Sequence, residues 1–183
     1  MVKKFIGSAA LTTDTSGLAT SVLTTKGDLA TYSTSRVRIG IGNNSDIFVA
    51  DSGEATGNKW TANTTSFILA CSDETTAISD TGTVLTFYMP YDYTVTAVRA
   101  SLTTTSSSGT PTIDINDGGT TILSTRITID AGDLLSTDSA TQPVIDDPDL
   151  ANDAEMTVDI DQIDSGGVSA GLKVYIIGYR VAH

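Results

Sequence analysis

The sequence predicts an all-β chain: an antiparallel, jelly-roll-like β-sandwich carrying an extended N-terminal arm. Three observations predict it. Of the 183 residues, 31 are Thr and 19 are Ser, and Thr joins Val and Ile as a β-branched residue whose stiff χ1 suits a pleated surface better than a helix. From residue 66 onward, short apolar runs recur with period two between clusters of turn-forming residues, the pattern of half-buried strands in an antiparallel sheet. No helical interval separates these runs, so turns rather than crossover helices should join successive strands.

Residues 1–62 read as the arm. Their apolar patches are short, at Leu29 to Tyr32, Val37 to Ile41 and Ile47 to Ala50. None can form a core alone, so this segment should borrow a partner surface. Residues 63–183 read as the sandwich domain, with strands expected at Phe67–Cys71, Val84–Met89, Thr94–Thr104, Thr112–Asn116, Thr121–Ile129, Met156–Ile163 and Leu172–Val181. Ser106-Ser107-Ser108-Gly109, Asp117-Gly118-Gly119 and Ser165-Gly166-Gly167 supply turns, because Gly tolerates positive φ and Ser and Asp bond locally to backbone. In Thr157-Val158-Asp159-Ile160-Asp161 and Thr112-Ile113-Asp114-Ile115-Asn116 the alternation puts one face inside and one in water. The last strand, around Val174-Tyr175-Ile176-Ile177-Gly178-Tyr179, is apolar on both faces and should be central or covered by a neighbouring subunit. The long connection from Asp130 to Asp153, with Pro143 and Pro148, has the length of a functional loop.

Charge divides the chain in the same place. The net charge of −12 resolves into +1 for residues 1–60 and −13 for the remainder. Such a chain lacks the Lys/Arg stripe that a phosphate backbone requires, so nucleic acid is not an expected partner. One Cys and one His supply no zinc cluster and no disulfide framework. Cys71 falls in the apolar run Phe67-Ile68-Leu69-Ala70 and reads as a buried, inert thiol. The N-terminal apolar stretch is broken by Gly7 and Ser8, too short for a secretory signal or a membrane span. No membrane partner is therefore expected, and synthesis should be cytoplasmic.

Catalytic arrangements fare poorly. His183, the one imidazole, is the terminal residue, and neither a Gly-x-Ser-x-Gly elbow nor a Walker A sequence occurs. Gly40-Ile41-Gly42 opens like a dinucleotide fingerprint but lacks its third Gly and leads into Asp46-Ile47-Phe48-Val49, a strand rather than a helix. Among 22 acids many carboxyl pairs will sit at glycosidase spacing by chance, and a solvated acidic surface is the better reading. The stretches Asp159–Gly166 and Asp114–Gly119 resemble calcium loops but put Ile163 and Gly118 at the fifth position. No catalytic residue, metal ligand or cofactor is expected, and the chain is not read as an enzyme. Tyr88, Tyr91 and Tyr93 around Pro90 could meet a glycan or protein, although packing at the sandwich end accounts for them more simply.

Two stretches carry a family resemblance. Thr24-Thr25-Lys26-Gly27-Asp28-Leu29, Arg38-Ile39-Gly40-Ile41-Gly42, Ala50-Asp51-Ser52 and Ala55-Thr56-Gly57-Asn58-Lys59-Trp60 follow one another as in a recurrent module of tailed-bacteriophage fibre and virion-surface proteins, which this segment resembles. Residues 88–180 resemble a second phage-associated β-domain. Its marks run from Pro90-Tyr91-Asp92-Tyr93-Thr94-Val95 through Ile113-Asp114-Ile115-Asn116 and Ile127-Thr128-Ile129-Asp130-Ala131-Gly132 to Asp159-Ile160-Asp161-Gln162-Ile163 and Gly171-Leu172-Lys173-Val174. The resemblance implies a virion structural protein at the particle surface. It would be a homotrimer that decorates or cements the capsid, or a short head fibre, and its partner would be the major capsid protein. A tail-fibre or adaptor subunit that contacts tail proteins and binds a host surface glycan is the alternative. In either case the arm should attach, with Phe5, Ile6, Leu11, Leu18, Val22 and Leu23 as apolar anchors and Trp60 closing the arm module against the globular domain or a neighbouring chain.

Overall fold

The computed structural model describes residues 26–32, 36–43 and 46–181. The chain divides at Asn63/Thr64 into two compact units.

The first unit consists of two antiparallel hairpins. β1 (Leu29–Tyr32) pairs with β2 (Arg36–Ile39), and β3 (Asp46–Ala50) pairs with β4 (Asn58–Ala62). The second hairpin is closed by the turn at 51–57, where Gly57 takes a φ of 74° that an L side chain rarely adopts. Asp51 N–H bonds the Gly57 carbonyl at 2.8 Å, and the Asp51 carboxylate meets Lys59 Nζ at 2.6 Å.

The second unit is an antiparallel β-sandwich. One sheet has the order β13-β7-β15-β5, from β13 (Asp149–Leu150), β7 (Tyr93–Ser101), β15 (Lys173–Arg180) and β5 (Thr64–Ala70). The other has the order β11-β8-β14-β6, from β11 (Ile127–Thr128), β8 (Thr112–Asp117), β14 (Glu155–Gln162) and β6 (Gly82–Tyr88), with β9 (Thr120–Thr121) also on β8. β10 (Leu123–Thr125) and β12 (Val144–Ile145) form a small separate pair. The inward faces of both sheets meet in one apolar core, with Val95, Val98, Val174 and Ile176 from the first sheet facing Ile113, Ile115, Met156, Val158 and Ile160 from the second. Six of the seven expected strands are present as single strands, and β15 is central, between β7 and β5.

Two expectations are corrected in detail. The strand expected at Thr121–Ile129 is broken into β9, β10 and β11: the chain pairs with β8, swings out to pair with β12, then returns to β8. The outer face of β8 does not meet water, since Asp114 is 4% exposed and Asn116 7%. The two facts have one cause, because the excursion presents Arg126, whose guanidinium lies 2.9 Å from the Asp114 carboxylate and covers it. Finally, the long connection 130–153 is stitched along the outer edge of β7. Leu102 N–H bonds the Leu134 carbonyl, Ser136 N–H bonds the Ala100 carbonyl, Ser136 Oγ accepts from Ala100 N–H, and Val95 N–H bonds the Pro148 carbonyl. An uncovered β7 would expose a row of unpaired donors and acceptors, which this loop satisfies. Within it, Gln142 Nε2 ties the turn by donating to the carbonyls of Ser136 and Ser139.

Candidate functional site

Three places gather side chains that could act. The first is a polar clasp on the outer face of the second sheet. Asp114 Oδ1 accepts from Thr121 Oγ1 at 2.7 Å and from Ile115 N–H at 2.8 Å, while Oδ2 faces Arg126. Arg126 also donates to Asp161 Oδ2, Thr121 Oγ1 and the Leu123 carbonyl. Beside it, Asn116 Nδ2 donates to Asp159 Oδ2 at 2.9 Å, and the buried Asp159 Oδ1 has no hydrogen-bond partner. Burial raises the Asp114 pKa above the usual carboxylate range, although Thr121, the Ile115 N–H and Arg126 pull it back. In the two calcium-like stretches the carboxylates of Asp114, Asp161 and Asp164 are engaged with protein donors. Asp164, for instance, accepts from Ser169 Oγ at 2.5 Å and from Val168 N–H at 3.1 Å. Burial opposes its ionisation, yet these bonds outweigh it and hold the carboxyl below its usual range. Among the described residues no three His, Cys, Asp or Glu are grouped to hold a metal ion. The clasp fastens β8, β14 and the β9–β11 excursion together.

The second place is aromatic. The three tyrosines around Pro90 do not act as one. Tyr88 is exposed and donates to Glu155 Oε2 at 2.7 Å. Tyr93 is fully buried, donates to the Thr65 carbonyl, and meets Phe67 edge-on at 5.1 Å between centroids. Tyr91 joins that cluster and carries the Arg180 guanidinium 4.9 Å from its ring centre. Most of this aromatic area is spent inside the domain.

The third place is the outer face of the β13-β7-β15-β5 sheet. Register sets the row Ile68, Tyr175, Arg99 across β5, β15 and β7, and beside it the row Ser66, Ile177, Ala97. Ile68 is 62% exposed. The stitched loop borders this face with exposed Leu135 and Val144. An open recess of about 180 Å³ lies among Arg99, Leu135, Thr137, Tyr175 and Ile177, and a wider one of about 440 Å³ runs from Arg99 to Val144. Three of the four cations in this unit are engaged: Arg126 with Asp114 and Asp161, Lys173 with Glu74, and Arg180 with Tyr91. Arg99 is exposed, and among the described residues no acid pairs with it.

In the first unit, Trp60 works within its own fold. Its Nε1–H donates to the Gly40 carbonyl at 2.8 Å and its ring lies 4.9 Å from that of Phe48, its partner across the hairpin. A Cβ at Gly42 would fall 2.7 Å from Trp60 Cγ, so the ring requires glycine there. Gly42 thus makes room for the tryptophan, and the Gly40 carbonyl holds its indole N–H. The expected anchors Phe5, Ile6, Leu11, Leu18, Val22 and Leu23 lie outside the described residues.

Fold and surfaces together define an all-β sandwich protein whose conspicuous features are an exposed apolar sheet face and internal polar clasps. No family model matches the sequence, and no curated protein matches it.

Proposed function

We propose that the chain is a bacteriophage virion structural protein: a homotrimeric capsid decoration (cement) or head-fibre protein that holds the shell through residues 1–62 and displays its acidic β-domain outward. The observation that carries this reading is the segregation of charge between two units of different build. Hairpins of near-neutral sequence precede a self-contained sandwich with 17 acids against four cations. An outward acidic surface keeps like particles apart and sheds nucleic acid. Many copies on one shell convert a weak single attachment into a durable one. The interleaved strand orders of the two sheets also support a jelly-roll-like winding, an architecture common to capsid-associated domains.

Cross-linking of purified phage particles that contain the chain tests this reading. Lys3, Lys4, Lys26 and Lys59 all precede residue 63, whereas Lys173 lies on the sandwich. The arm lysines should link to the major capsid protein and Lys173 should not. Links to tail proteins instead would favour a tail-fibre or adaptor subunit that reads a host glycan. Absence of the chain from the particles would refute both.

A further inference from the structure

We infer that the outer face of the β13-β7-β15-β5 sheet is where a second copy of this chain docks, with Arg99 receiving a carboxylate of that copy. The contact rests on the homo-oligomer part of the reading above and is independent of where the assembly attaches.

An antiparallel sheet with one solvated face alternates apolar and polar residues along each strand. β15 does not: Val174 and Ile176 are fully buried in the core, while Tyr175, Ile177 and Tyr179 point the other way and are half-buried. The apolar area continues sideways to Ile68 and, past Arg99, to Leu135 and Val144 on the stitched loop. The recess beside Arg99 is large enough for a ring or a branched aliphatic group.

Charge selects the occupant. Arg99 stands amid these apolar side chains with no acid paired to it among the described residues, in a domain that carries thirteen more acids than cations. A guanidinium matches a carboxylate in a bidentate fork, and arginine with tyrosine is enriched where interfaces carry their energy. A basic partner would be repelled from Arg99, which asks for a carboxylate beside apolar groups. A second copy supplies both complements, since Asp133, Asp138, Asp146 and Asp147 lie on the same loop that presents Leu134, Leu135 and Val144. Such a contact between a face and a loop is heterologous and forms a ring where the rotation between copies closes.

The test is the oligomeric state of the full chain by light scattering and sedimentation velocity. It compares wild type with Arg99→Glu, Ile68→Thr and, on the outside of the other sheet, Thr86→Glu. Positions 99, 68 and 86 are all exposed, and thermal unfolding verifies that each variant is folded. Wild type should assemble. Arg99→Glu should raise the dissociation constant by about tenfold or more, Ile68→Thr should also weaken assembly, and Thr86→Glu should not change it. A wild type that stays monomeric at its solubility limit overturns the inference, as do folded Arg99→Glu and Ile68→Thr variants that assemble like wild type. Variants that still assemble and still enter particles would refute this contact alone. Variants that dissociate as expected, in a chain absent from particles, would refute the virion reading alone.

Discussion

Arg126→Met isolates the polar clasp that holds the β9–β11 excursion to its sheet. The substitution keeps much of the side-chain volume but strips the buried Asp114 of its guanidinium at 2.9 Å, and also removes donors to Asp161, Thr121 and the Leu123 carbonyl. Breaking a buried ion pair from one side costs roughly 3–5 kcal/mol. The Arg126 side chain is 33% exposed, so water can replace part of what it gave. A loss of about 2–3 kcal/mol is therefore expected, or roughly 6–15 °C in Tm for a unit of this size. The pH dependence has a definite sign. Burial already raises the Asp114 pKa, and removing Arg126 raises it further. In the window between the unfolded and folded pKa, the folded state holds the extra proton, so stability increases as pH falls. The deficit of Arg126→Met should thus be largest near neutrality and shrink as pH is lowered through the raised folded pKa. Asp114→Asn should relieve much of it in the double variant. Urea unfolding of all four proteins over a pH series measures this. A loss under about 0.5 kcal/mol, or a deficit indifferent to both pH and Asp114→Asn, would refute the account of the clasp.

Other consequences concern packing and accessibility. A Cβ at Gly178 would lie 2.0 Å from the Thr94 carbonyl oxygen where the β15–β7 register shifts, so Gly178→Ala should cost about 1–3 kcal/mol in urea unfolding. Burial pushes the Cys71 thiol up to about 11, and the residue is only 7% exposed. Thiol reagents should therefore label it slowly in the native protein and promptly in urea. Trp60, the one tryptophan, reports on the hairpin unit, whereas far-UV circular dichroism is dominated by the sandwich. Small hairpins are marginal alone, so tryptophan emission should change at lower urea than the dichroism signal, and coincident transitions would contradict that.

Particular strands show what sequence could and could not reveal. Met156-Thr157-Val158-Asp159-Ile160 alternates in sequence and alternates in burial, because β14 has one core face along its length. The two-faced apolar pattern of β15 marked a central strand correctly. β8 misled, since its Ile113 and Ile115 alternate with Asp114 and Asn116, which periodicity assigns to water. Asp114 is covered by an arginine twelve residues on, a contact that period-two patterning cannot encode, and Asn116 bonds Thr157 and Asp159 of the neighbouring strand. β12 and β13, two residues each, are too short to show any period and exist only because the long loop runs beside β7 and β10. The role of Trp60 beside Gly40 and Gly42 joins positions twenty residues apart. Arg99 left a signal that could have been read, a lone cation among apolar strand residues in an acidic half, but that no acid pairs with it among the described residues is a fact of the fold.

The most direct measurement is binding of the full chain and of a variant lacking residues 1–25 to purified phage capsids stripped of the protein, followed by co-sedimentation. The account predicts saturable binding of the full chain, and none by the shortened chain even though its dichroism and thermal unfolding show the sandwich intact. Undiminished binding by the shortened chain would contradict attachment through the N-terminal arm.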